Sequence, residues 1–388
     1  MSAHAIRCRS RLAAALALLV GASAPMHAAP NAPSAPAPPD ERAEPPSAES
    51  PLLPVAESEV TFAGEGGFEL QGTLVLPQRT KDQRVPAVLL IPGSGPTDRD
   101  GNQLPALRTD LLKSIATRLA NDGIATLRFD KRACARYAAS WPKTAEELNA
   151  IFGWEEFAGD VAGAYAFLRG DAHIDSSRVA VLGHSEGGLL ALQLAHDTSP
   201  DRAPAALVLC ATAGRTLDKL IPEQVLASLR RSGIGGPKAA ELLAQLDEAI
   251  VAVRDTRKLP DRVPPAYTAL FNPTVIDILH AYFTIDPAVL AAAYRGPVLV
   301  VNGANDVQVS AERDAPVLKK AFDDRAIDAT CELFIVPATS HNLKTASSMD
   351  DPGVAGPVVP EALDRIAEWL AEELGVSRRG DAGAAGSR

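Results

Sequence analysis

Gly183-His184-Ser185-Glu186-Gly187-Gly188 interrupts an otherwise apolar run, with Val179 to Leu182 before it and Leu189 to Leu192 after it. A serine at the corner between a strand and a helix is forced into a strained backbone. Small residues two positions before and after it, here Gly183 and Gly187, let the chain turn without collision. The corner lifts the hydroxyl clear of the sheet and sets it beside the N-terminus of the following helix, where the amide of Glu186 can face a developing oxyanion. These residue types at this spacing point to acyl transfer with Ser185 as nucleophile. The Glu186 carboxylate reads as a favourable first-turn helix charge rather than a reactant.

A hydroxyl at its ordinary pKa is a poor nucleophile and needs a histidine base oriented by an acid, in the chain order Ser, Asp or Glu, His. Asp306 follows the apolar run Val298 to Val301, on the sheet edge that carries Ser185. Asn305 beside it and Asp314 downstream are its neighbours of similar type, and Asp306 is preferred because it stays closest to the strand end. Of the seven histidines, His341 alone is both downstream of the acid and on that edge. A histidine base also predicts that activity declines in acid, since imidazolium cannot accept a proton.

The second oxyanion donor is expected from the loop Pro92-Gly93-Ser94-Gly95-Pro96, with the amide of Ser94 as donor; Pro96 has no N–H to offer. Asp98-Arg99-Asp100-Gly101-Asn102 has the residue types of a calcium loop, but its glycine falls too early and no glutamate closes it, so it reads as a solvated or rim loop. Arg128, Asp130, Lys131 and Arg132 end a strand on the active edge. Ion pairing among themselves is the favoured reading over an anion site.

Eight apolar, β-branched runs supply the strands: Glu59 to Phe62, Phe68 to Leu76, Val85 to Ile91, Ile124 to Phe129, Arg178 to Leu182, Ala205 to Cys210, Pro297 to Val301 and Glu332 to Val336. Helical patterns lie at Leu107 to Asn121, Trp154 to Leu168, Glu186 to His196 and Pro360 to Leu374. The alternation predicts an α/β fold with an eight-stranded, mostly parallel sheet flanked by helices. A long helical interval, about 212–295, reads as an inserted cap. Its stripe Leu242, Leu246, Ile250, Val253 serves either packing or substrate.

The chain has 388 residues, 46% hydrophobic and 22% charged, with a formal net charge of -10. That balance excludes a disordered chain and argues against a nucleic-acid partner, which needs clustered cations. Four cysteines without a Cys-x-x-Cys pair exclude a disulfide scaffold and a zinc finger. Cys210 and Cys331 are expected a whole strand apart and unpaired, and Cys134 is left without an evident partner. Arg7, Arg9 and Arg11 precede an apolar run from Leu12 to Ala22 and then small residues, the layout of a secretory signal peptide over 1–28. A Pro/Ala-rich disordered linker is expected over 29–56, the folded domain over 57–374 and a frayed tail over 375–388. The expected location is therefore exported, periplasmic or secreted, with no membrane span left after cleavage.

Ile91 to Asn102, Arg128 to Arg132 and Gly183 to Gly188 together resemble the capped, esterase-like members of the α/β hydrolases often labelled serine aminopeptidase-like hydrolases. The resemblance runs from Glu59 to Leu374. It implies a triad of Ser185, Asp306 and His341, no cofactor, no metal, a helical cap over the pocket and a small-molecule acyl ester as substrate. Relatives follow Asp-Lys-Arg with glycines, whereas this chain has Ala133-Cys134-Ala135-Arg136, which puts inherited substrate preference in doubt. Two other functions fit the same residues: an aminopeptidase-like amide hydrolase, and a non-catalytic binding protein on a hydrolase scaffold.

Overall fold

The computed structural model describes residues 54–327 and 329–376. The expected signal peptide, the linker up to residue 53 and the tail beyond residue 376 lie outside the described residues. Eight strands form one sheet: β1 (Ala56–Ala63), β2 (Glu69–Leu76), β3 (Val85–Ile91), β4 (Ala125–Phe129), β5 (Ile174–His184), β6 (Leu207–Cys210), β7 (Val298–Gly303) and β8 (Cys331–Val336). Their order is β1-β2-β4-β3-β5-β6-β7-β8. The pairs β1·β2 and β2·β4 are antiparallel, and every pair from β3·β4 onward is parallel.

The continuously apolar strands are covered on both faces, as parallel sheets require. Val88, Leu90, Ala180, Leu182, Val208, Cys210, Leu299 and Val301 pack with α1 (Leu111–Asn121) and α10 (Pro360–Glu373). The alternate positions Leu89, Ile91, Val179, Val181, Leu207, Leu209 and Val300 face the other way, into a core shared with α3 (Trp154–Gly170) and α4 (Glu186–Asp197). Two short helices were not expected, α2 (Ala145–Ile151) and α9 (Ala315–Asp323). α2 opens with a capping box in which Thr144 and Glu147 bond each other's backbone amides.

The cap consists of α5 (Leu217–Arg231), α6 (Gly236–Thr256), α7 (Ile276–Thr284) and α8 (Pro287–Ala293). Leu246, Ile250 and Val253 of the α6 stripe are buried, while Leu242 lines an open cleft. The stripe therefore divides between packing and cavity. Among the described residues no single helix is long and apolar enough to cross a membrane.

Candidate active site

β5 runs directly into α4 with Ser185 at φ 56°, ψ -119°, a strained conformation for a residue with a side chain. A Cβ on Gly183 would collide with the Gly187 carbonyl, and one on Gly187 with the carbonyls of Ile91 and Pro92. The glycines at both flanks are thus required by backbone contact. The elbow is anchored through Ser185 N–H, which donates to the Cys210 carbonyl at 2.8 Å.

Asp306 lies three residues beyond β7 and is fully buried. Its Oδ1 accepts from the amides of Gln308 (2.8 Å) and Val309 (2.9 Å), and its Oδ2 faces His341 Nδ1 at 2.9 Å. Because the partner is a carboxylate, His341 Nδ1 carries the proton and donates. Nε2 is left as the acceptor. The alternatives are engaged elsewhere. Asp314 pairs with Arg215 (2.8 Å), and Asn305 donates to the Ala346 carbonyl.

Ser185 and His341 line one cavity of ≈ 20 Å³ together with Gly93, Ser94 and Asn342. No hydrogen bond joins the Ser185 hydroxyl to His341, and the hydroxyl has no side-chain partner among the described residues. Such bonds are commonly long before substrate binds. Ser185 also borders a second chamber of ≈ 30 Å³ with Ser94, Glu186, Leu217, Gln224 and Tyr282. The Ser94 carbonyl accepts from Thr97 Oγ1 (2.7 Å) and Gln103 Nε2 (2.9 Å), which holds the loop after β3. The Glu186 amide sits at the first turn of α4, where a helix has no internal acceptor for it.

His184, beside the serine in the elbow, acts on the loop that bears His341. Its buried ring donates from Nε2 to the His341 carbonyl at 2.9 Å. Burial, and secondarily the neighbouring His341 ring, depress its pKa from 6.5 to about 3, so it stays neutral. Glu186 is a second surprise. Its buried carboxylate is ion-paired with Lys131 and accepts from the Tyr282 hydroxyl of the cap. A helix-dipole role alone does not describe it.

The ion pairing expected within residues 128–132 instead reaches across the fold. Arg128 pairs with Asp100 and Glu57, Asp130 with Arg99, and Arg132 with Asp160. Of the two readings of loop 98–102, solvated or rim, the structure favours the rim: Arg99 and Asn102 are buried, Asp98 Oδ1 accepts from the amides of Asp100 and Asn102, and Gly101 lines the cavity shared by Ser185 and His341. Residues 133–136, where relatives carry glycines, show no positive φ and lead into a 3-10 turn at Ala135–Tyr137. The alanines are therefore unstrained. Cys134, Cys210 and Cys331 are free, and burial raises the Cys134 thiol to about 11, which removes it as a ready nucleophile or cross-link.

Two further cavities flank the site. One of ≈ 500 Å³ lies among the ion pairs of β1, β2 and loop 96–102 and contains none of the triad candidates. The other, ≈ 200 Å³, is an apolar cleft in the cap lined by Ile221, Val225, Leu229, Leu242, Tyr267 and Leu270. Gln224 belongs to both this cleft and the chamber at Ser185. Its amide donates to the Gln308 carbonyl at 2.8 Å.

A family model described as serine aminopeptidase, S33 matches residues 109–345. That span includes Ser185, Asp306 and His341 and begins after the loop with Ser94. Esterase EstD from Thermotoga maritima is 26% identical over 317 residues, covering 81% of this chain and 67% of that protein. A solved puromycin-hydrolyzing peptidase of Mycobacterium tuberculosis is similar with a TM-score of 0.52 and 17% identity, covering 84% of this chain and 41% of that one. An esterase of Pyrococcus furiosus is similar at a TM-score of 0.50 and 12% identity, covering 83% and 91%. At these identities the two structures speak for the fold alone.

Proposed function

The chain belongs to the serine aminopeptidase, S33 family of α/β hydrolases, and from that premise we propose that it is an exported serine hydrolase cleaving carboxylic esters through an acyl-enzyme. The observation that carries the mechanism is the 2.9 Å bond from His341 Nδ1 to Asp306, made in the loop whose histidine shares a cavity with Ser185. Ser185 Oγ attacks the acyl carbon while His341 Nε2 takes its proton. Asp306 holds the imidazole tautomer and stabilises the imidazolium. The amides of Glu186 and Ser94 receive the tetrahedral oxyanion. His341 returns the proton to the departing alkoxide, and water repeats the cycle to release the acid.

The apolar cap cleft supports an ester with a hydrocarbon portion. Its ≈ 200 Å³ exceeds the ~150 Å³ that suffices for a benzene ring in an apolar protein cavity. The small chamber at Ser185 leaves room for little beyond the reacting group. An aminopeptidase needs a free carboxylate near the nucleophile for the substrate's α-amine. Among the described residues lining the two cavities beside Ser185, Glu186 bears the carboxylate, and it is already engaged by Lys131 and Tyr282. Ester chemistry is favoured accordingly.

Turnover of a short acyl ester against an aminoacyl anilide tests this reading. The ester is expected to be cleaved faster, with both activities lost in Ser185→Ala; faster anilide cleavage reverses the assignment. Export rests on the basic, apolar and small-residue order of the first 29 residues. N-terminal sequencing of protein recovered outside the cytoplasm is expected to begin near Ala29, and a start at Met1 or Ser2 contradicts it.

A further inference from the structure

Lys131 sits buried behind the proposed oxyanion hole. Its ammonium donates to the Gly93 carbonyl at 3.3 Å, pairs with the Glu186 carboxylate and lies 4.3 Å from the centroid of the Phe157 ring. Gly93 C=O and Ser94 N–H belong to one planar trans peptide, so they point in opposite directions. A cation that fixes the carbonyl therefore aims the amide away from itself. Ser94 borders both cavities beside Ser185, and Lys131 lines neither. The next peptide is fixed independently through the Ser94 carbonyl by Thr97 and Gln103.

We infer that Lys131 is a positioning residue for the oxyanion hole: through Gly93 it aims and polarises the Ser94 amide, and through Glu186 it ties that loop to the residue that supplies the other amide. The inference rests on the esterase reading above. The charge pair has a second consequence, because Tyr282 of α7 donates to the same Glu186 carboxylate. Cap, elbow and oxyanion loop thus meet at one buried ion pair. An oxyanion donor acts on the tetrahedral state and not on bound substrate, so misaiming it lowers kcat and spares KM.

The test uses Lys131→Met and the double variant Lys131→Met/Glu186→Gln, with rates expressed per site titrated by a fluorophosphonate. The single variant strands a buried carboxylate and loses stability; the double variant removes both charges and recovers its thermal midpoint. In both, kcat on a short acyl ester is expected to fall by on the order of 10- to 100-fold with KM little changed. Affinity for a trifluoromethyl ketone, which adds to Ser185 as a charged tetrahedral adduct, falls by a similar factor. Affinity for the corresponding methyl ketone does not. If the double variant regains kcat together with stability, or both ketones weaken alike, Lys131 is only structural and the inference is wrong. A wild-type chain that neither cleaves the ester nor takes the fluorophosphonate defeats the esterase reading as well, which separates the two failures.

Discussion

The sheet edge that carries the triad candidates and the helical cap above it are built by different means. At the edge, buried polar side chains are met by backbone: Asp306 by the amides of Gln308 and Val309, His184 by the His341 carbonyl, Ser340 by the Gly353 carbonyl. The cap is joined to the body by side-chain pairs, Arg215 with Asp314 and Tyr282 with Glu186, beside the Gln224 amide on the Gln308 carbonyl, and it retains an open apolar cleft. Backbone partners give the edge few alternative arrangements, which suits chemistry that tolerates little misplacement. Long side chains and free volume leave the cap more alternative arrangements. Two aspartates after β7 show the contrast within eight positions. Asp306 accepts from two backbone amides and from the imidazole and has no cationic Lys or Arg partner, whereas Asp314 is paired with a guanidinium.

The sharpest way to break this contrast is to remove both charges in turn. In Asp306→Asn the amides of Gln308 and Val309 hold the side-chain oxygen, which turns the NH₂ toward His341 Nδ1. The ring proton is then driven to Nε2, the nitrogen that must accept from Ser185. A loss in kcat on the order of 10⁴-fold is expected in steady-state kinetics, with the fold retained. Asp314→Asn is expected to do the reverse: about 2 kcal/mol lost in chemical denaturation, since Arg215 keeps Glu223 as partner, and kcat per folded molecule within a few-fold. Equal kinetic effects from the two would erase the distinction.

The cap side is tested by filling its cleft. Ser228 is an exposed residue on the rim of the cleft, so Ser228→Trp occupies volume without disturbing the core. A series of esters of increasing chain length is expected to show about a tenfold fall in kcat/KM for long chains, equivalent to roughly two methylenes displaced, and no change for the acetate. A uniform fall along the series would mean that the cleft does not receive the chain.

A pH-dependent test belongs to His184. Burial holds its folded pKa at about 3 against an ordinary 6.5, so the unfolded chain takes up the proton first. The stability contributed by the neutral ring is complete above 6.5 and is lost progressively as pH falls toward 3. His184→Gln keeps an N–H for the His341 carbonyl but removes the titration. The acid limb of its stability curve is expected to be shallower than wild type by on the order of 1 kcal/mol per pH unit in that window. Parallel curves would contradict the buried, neutral ring.

Apolar strands and the strand-to-helix corner are local features, and so they were readable in the sequence. β3 matches its expected bounds and β8 differs by one residue, but β5 begins at Ile174, because the polar stretch Asp175 to Arg178 hides its first turn of pairing. The short α2 and α9 lack the length that makes a helical period visible. Gly183, Gly187 and the pairing of Asp306 with His341 followed from strand-end placement. The roles of Lys131 and Tyr282 did not, since their partner Glu186 is 55 and 96 positions away and only the folded chain brings them together. For the same reason the partners of Arg128, Asp130 and Arg132, namely Glu57, Arg99 and Asp160, lie far from them along the chain.

The central claim is that Ser185 is a nucleophile served by His341 and Asp306. Reaction of the full chain with a fluorophosphonate, followed by peptide mass mapping, addresses it directly. The account expects one adduct on Ser185, absent in Ser185→Ala and much slower to form in His341→Ala. No adduct on the wild-type chain, or equal labelling of Ser185→Ala, would contradict it.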